Sequence, residues 1–251
     1  MQTDVFLEAL FEAGAHIGYS KSRRHPKMER FVFAVRNNVE IFDLQQTASL
    51  LEAAETFLAA LGKEGRTVLW VGTKPAARGH IERVAKDLVA PYVSERWLGG
   101  LLTNFKELSK RLEYWKKLEG EAESGELEKY VKKEKLMKLN ELRKMTRTFG
   151  GLRALKSIPD ALVIVDPKDE HTAFGEAKKK NLPIVAILNS DCNPDGVRYP
   201  ISANDGSTAA IKLIIERLAA AYRKGREERA AQLALDSAER ATVTAETAQT
   251  A

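Results

Sequence analysis

The first residues with a chemistry to suggest lie in the segment 14–28, GAHIGYSKSRRHPKM. Between Tyr19 and Arg36 stand Lys21, Arg23, Arg24, Lys27, Arg30 and Arg36 against Glu29 alone, with Tyr19 and His25 interleaved and His16 just before. Guanidinium forks and ammonium groups attract phosphate whatever the base sequence, and Tyr and His rings offer faces on which exposed RNA bases stack. A solvated basic loop would show the same composition. A second set stands where apolar runs give way to polar turns: Thr73, Lys74, Asp166, Asp169, His171, Asn189, Asp191, Cys192, Asn193 and Asp195. Carboxylates and an imidazole there could bind a metal or work as acid and base. The acids, however, sit in DPKDEH and SDCNPDG, where Asp and Asn shape turns and cap helices without catalysis. The spacing matches no zinc, di-metal or nucleophile-elbow motif.

The turn Gly72-Thr73-Lys74 precedes Pro75 at a helix start, where backbone N–H groups can hold a phosphate. Neither GxxxxGK[ST] nor GxGxxG occurs, so no nucleotide cofactor is expected. With Arg78 and Arg83 near it, Lys74 reads as a contact for an RNA backbone. No catalytic residue, cofactor or metal ligand is assigned; the alternative is a crevice enzyme using a nucleotide or metal at the strand ends.

These groups need a scaffold. The runs 67–74, 159–167 and 182–189 are apolar strands of the kind buried on both faces of a parallel sheet. Helices at 76–88, 170–180 and 207–223 alternate with them, and Thr47 is the expected cap of a helix that Gly62 and Gly65 stop. FVFAVR and VEIF flank Asn37-Asn38 as a hairpin at a sheet edge. A short helix capped by Thr3 or Asp4 ends at Gly14.

Residues 96–105, RWLGGLLTNF, join this pattern to one of a different period. Phe105, Leu108, Leu112, Trp115 and Leu118, then Leu136, Leu139, Leu142, Met145 and Phe149, recur at helical steps either side of the polar turn 120–127. They predict an antiparallel coiled-coil hairpin capped by Thr103, with one cationic arm at 129–147. Glycine pairs, Gly99-Gly100 and Gly150-Gly151, mark its departure and return. The expected organisation is 1–102 and 150–225 as an α/β domain with a basic N-terminal loop, 103–149 as the inserted hairpin, and 226–251 as a disordered tail poor in large apolar residues.

The chain has 251 residues, 44% hydrophobic and 30% charged, enough for a sizeable core. No apolar run approaches the ~20 residues of a membrane span, and MQTDVFLEAL is too acidic for a secretion signal. A cytoplasmic protein is expected. Cys192 is the single cysteine, so no internal disulfide can form. The net charge is +5 with pI near 9.1, and its clustering points to polyanionic partners.

GAHIGYSKSRRHPKM, VGTK followed by Ala76-Ala77, RWLGGLLTNF, KKEKLMKLNELRKM and PDALVIVDPKDEH with NLPIVAILNSDCNPDGVRYPISAND, in this order, resemble the bacterial ribosomal protein S-two family. The resemblance runs almost from end to end. It implies a flavodoxin-like α/β domain, its mostly parallel sheet covered by helices, carrying a protruding coiled-coil hairpin. It also implies a ribosome-bound place at the head-body junction of the small subunit, with contacts to small-subunit ribosomal RNA, neighbouring proteins and the loosely held ribosomal protein S-one. Where the family often has His, Trp and Asn, this chain has Tyr19, Arg24 and His25. RNA contact should persist, whereas Tyr19 cannot serve as a second neutral nitrogen ligand beside His16. The RNA contacts expected are Tyr19, Lys21, Arg23, Arg24, His25, Lys27, Lys74, Arg78, Arg96, Asn104, Lys106, Lys132 and Lys133. A pure protein adaptor, with the hairpin holding S-one, is the third reading.

Overall fold

Strands β4 (Val68–Val71), β6 (Ala161–Val165) and β7 (Ile184–Leu188) are buried at every residue, as their unbroken apolar runs require. The structure, a computed structural model, describes residues 2–249 in backbone and 5–236 in side chain. With β5 (Tyr92–Val93) and β8 (Tyr199–Ser202) these strands make a parallel sheet ordered β5-β4-β6-β7-β8. Counted within that sheet the order is 2-1-3-4-5, the flavodoxin-like doubly wound arrangement. The α/β, mostly parallel fold class is therefore as expected.

Alternate residues of each strand face opposite layers. Val68, Trp70, Val163, Val165, Val185 and Ile187 pack with α1 (Gln2–Glu12), α2 (Leu44–Glu64), α3 (Pro75–Asp87) and α7 (Thr208–Gln249). Leu69, Val71, Leu162, Ile164, Ala186 and Leu188 pack with Met28, Phe31, α6 (His171–Lys179) and the root of a helical pair, α4 (Phe105–Glu123) and α5 (Lys132–Phe149).

Helices α2 and α7 cross where both carry glycine. A Cβ on Gly62 would overlap the Tyr222 carbonyl, and one on Gly225 the Ala59 carbonyl. Gly62 was expected to stop α2; it serves this close approach instead, and the helix ends at Gly65 with φ +70. The cap is Asp43, which accepts from Gln45 N at 2.9 Å. Thr47, the expected cap, lies one turn inside and donates to Ser202 O at 2.7 Å, tying α2 to β8. The expected caps Thr3 and Asp4 lie outside the described side chains.

Strands β2 (Val32–Arg36) and β3 (Val39–Phe42) form the expected hairpin, Asn37 and Asn38 taking φ of 50 and 62. The hairpin is not an edge of the main sheet. It joins β1 (Ile17–Ser20), which runs through the expected basic loop, in a separate antiparallel sheet ordered β1-β3-β2.

Helices α4 and α5 run antiparallel: Trp115 Nε1 donates to Thr146 Oγ1 at 3.1 Å, and Lys138 pairs with Glu121 at 3.4 Å. On α4, Leu108, Leu112, Trp115 and Leu118 are buried, whereas on α5 only Phe149 is, and Leu136 is exposed. Beyond Leu118 the partner helix carries no large apolar residue, only Glu119, Gly120, Glu121, Ala122 and Glu123. Leu127, in the turn, is buried instead.

Helix α7 runs through 226, where the tail is expected to begin. Arg226 donates to the Leu88 carbonyl and Arg229 to Glu64 O at 2.5 Å, fastening residues past 225 to the domain. Side chains from 237 on lie outside the described residues.

Candidate nucleic-acid interface

In a doubly wound sheet, the crevice beyond the strand ends is where ligands bind. Here it is filled from within. Lys74, immediately before α3, extends its ammonium to Asp166 Oδ2 at 2.8 Å and Asp205 Oδ2 at 2.7 Å, and both carboxylates are buried. Asn189 Nδ2 donates to the other Asp205 oxygen at 2.6 Å, and Asp166, at φ +60, accepts from Lys168 N at 3.0 Å. Burial would lower the Lys74 pKa, but its bonds to the two carboxylates outweigh it and hold the pKa above the usual lysine range. Burial, with Asp166 beside it, raises Asp205. Cys192 is buried too, and burial pushes its thiol well up, so it is unreactive at neutral pH. At the rim, Arg23 and Lys168 share Asp191 Oδ2 at 3.0 and 2.6 Å, and the Arg23 guanidinium lies 4.1 Å over the Tyr19 ring. Lys74 thus belongs to a buried bridge; a phosphate contact there would strip two carboxylates of their counterion.

The basic loop is pinned to the end of β7. His25 N donates to Ser190 O at 2.8 Å, and Tyr19 N to Ser190 Oγ at 3.0 Å. Arg24 reaches buried Glu40 at 3.3 Å and exposed Glu29 at 3.2 Å, Lys27 pairs with Asp195, and His25 Nδ1 accepts from Lys27 N at 3.3 Å. Burial raises the Glu40 carboxyl, partly offset by Arg24. Lys21, Arg30 and Arg36 are exposed and have no ion pair among the described residues. His16 stacks on Phe11, ring centroids 4.4 Å apart, and among the described residues no group of three or more His, Cys, Asp or Glu is placed to hold a metal ion.

At the root of the helical pair the turn 97–103 closes around Glu176 of α6. Its Oε1 accepts from Trp97 Nε1 at 3.1 Å and Gly100 N at 2.7 Å; its Oε2 accepts from Leu102 N at 2.9 Å and from Thr103 N and Oγ1 at 3.1 and 3.2 Å. Burial acts to raise this carboxyl, but the donors prevail and lower it. Thr103 is therefore not the cap of α4. Asn104 takes that position without a side-chain cap bond, and it, Arg96 and Lys106 are exposed. Gly100 supplies the turn with φ +89, and a Cβ on Gly151 would overlap the Tyr92 carbonyl, so the two glycine pairs each contribute one obligatory glycine. Glu95 ties the two segments, accepting from Arg78 at 3.2 Å and pairing with Arg147 at 2.7 Å. Lys132 and Lys133 stand exposed at the start of α5.

The expected contacts thus fall in three places: Tyr19 to Lys27 with Lys74 at the crevice, Arg78 to Lys106 at the root of the pair, and Lys132 and Lys133 at its far end. Glu176, Asp205 and Glu95 organise the first two, and none stood out in the sequence because each acts on residues far along the chain.

Fold and site together define a flavodoxin-like scaffold whose ligand crevice is closed by its own lysine and whose rim carries cations. Residues 10–225 match the family model described as ribosomal protein S2, and the chain belongs to that family. It is 43% identical to the small ribosomal subunit protein uS2 of Nocardia farcinica, over 90% of this chain and 79% of that protein. The proteins of the same name from Coprothermobacter proteolyticus and Dictyoglomus thermophilum are 44% and 43% identical, covering 90% of this chain and 84% and 92% of theirs. No helix among the described residues is long and apolar enough to cross a membrane.

Proposed function

We propose that this protein is a structural component of the small ribosomal subunit that binds ribosomal RNA at the head-body junction and helps hold ribosomal protein S-one, in support of translation. Membership of the S2 family over 10–225 carries the reading. The side chains support it: with Lys74 closing the crevice, the cations left exposed at Lys21, Arg96, Lys106, Lys132 and Lys133 are free to meet phosphate, while Tyr19 and Arg23 present a ring and a fork at the rim. Arg24, His25, Lys27 and Arg78 shape the surface through their internal pairs and add charge at its edge. Affinity is expected to be mostly phosphate contact, and therefore salt-sensitive.

The test is co-sedimentation with small subunits lacking this component, at rising salt. Stoichiometric binding that falls steeply with salt supports the reading. Absence of binding at low salt, or binding indifferent to salt, refutes it. Recruitment of S-one to the reconstituted particle, with and without the protein, tests the remaining part.

A further inference from the structure

We propose that the cleft between the Glu176-held turn and the helical pair is a phosphate-binding site for a backbone segment of RNA, with Arg96, Arg111 and Lys144 as its cations. The inference deepens the RNA-binding reading and rests on it.

The cleft is lined by residues 96–99 of the turn, by Arg111 of α4, and by Lys144, Met145, Thr148 and Phe149 of α5. Three elements therefore each contribute one cation to one concavity. Three other clefts among the described residues carry carboxylates in their walls: Glu82 and Glu95 in one, Glu29 and Asp195 in a second, Asp43 in a third. This one has none.

Pairing separates these cations from several of their neighbours. Lys110, Arg147 and Arg153, close by in sequence or on the same helices, are neutralised by Glu107, Glu95 and Glu119. Arg96, Arg111 and Lys144 are exposed and have no carboxylate partner among the described residues. Uncompensated like charges gathered in a cleft focus its field and favour an anion. Two of the three are arginines, whose planar forks match phosphate oxygens bidentately.

The shape suits a polymer backbone. Nothing lies within 4 Å of where a Cβ of Gly99 would stand, so the wall is open to close approach there. Half-buried Leu98 and Met145 line the same cleft and give a ribose an apolar surface. Five hydrogen bonds to Glu176 hold residues 97–103, so the turn bearing Arg96 is ordered before any ligand arrives.

The experiment compares two full-length triple variants with the parent in binding small-subunit ribosomal RNA from 50 to 200 mM salt. One carries Arg96→Ala, Arg111→Ala and Lys144→Ala. The other carries Lys86→Ala, Lys110→Ala and Lys135→Ala, the same charge loss at cations that are already paired. The first should bind roughly tenfold or more weakly, with a log–log salt slope shallower by about three. The second should stay near the parent, and both should keep the parent's thermal midpoint. Equal losses in both variants, or none in the first, overturn the site while leaving RNA binding standing. A parent that binds no RNA overturns both readings. A benzophenone amino acid at Met145 supplies a further readout in reconstituted subunits. Crosslinks to RNA support the site; crosslinks to protein alone assign the cleft to an acidic polypeptide and overturn it.

Discussion

Trp97 and Glu176, 79 residues apart, meet through a buried hydrogen bond of 3.1 Å from the indole to the carboxylate. The same carboxylate takes three backbone amides and a hydroxyl from the turn that follows Trp97. One side chain on α6 thus fixes where the helical pair leaves the sheet.

Glu176→Ala should destabilise the protein by about 3 kcal/mol or more, since buried donors lose a charged acceptor. Urea unfolding followed by circular dichroism measures this. Glu176 titrates below its ordinary 4.5 when folded, so its contribution is complete above that value and is lost as pH falls through the folded one. Between pH 7 and 3 the parent should lose more stability than Glu176→Gln. Parallel losses would remove Glu176 from that role.

Lys74→Met should cost about 3–5 kcal/mol, because two buried carboxylates keep their burial and lose their cation. Adding Asp205→Asn should restore part of the loss. A double variant no more stable than Lys74→Met alone would show that the bridge is not what the lysine supplies.

Trp97→Ala and Arg96→Ala should separate folding from binding. The first empties a buried site and should cost about 3–5 kcal/mol. The second, at an exposed position, should stay within about 0.5 kcal/mol and weaken RNA binding instead. Equal falls in thermal midpoint would refute the division.

Gly225→Ala should lower stability by roughly 1–3 kcal/mol, since the new methyl meets the Ala59 carbonyl across the α2–α7 crossing. Gly99→Ala, in open space, is the control and should be near neutral by the same thermal melt.

What could be read from the chain alone was what neighbours in sequence decide. Apolar runs marked β4, β6 and β7, and Asn37-Asn38 marked its turn, because both rest on a few adjacent residues. The strand β8 escaped: YPIS has a proline and little apolar period, and its place comes from pairing with β7. The caps at Thr47 and Thr103 were misassigned because each hydroxyl had a partner elsewhere, Ser202 O for one and Glu176 for the other. The bridge from Lys74 to Asp205 is not legible in the sequence, because Asp205 is 131 residues away. Charge in a sequence says where cations gather, and the fold decides which remain unpaired.

The separation between the turn and its carboxylate also sets an order of events in synthesis. Glu176 follows the donors it accepts by 73 to 79 residues, so residues 97–103 and the whole helical pair are made while the group that orients them does not yet exist. Until α6 is translated, those amides lack this carboxylate. A growing chain stalled before residue 176 would leave Trp97 open to solvent, and indole fluorescence on such stalled chains would show when the turn closes.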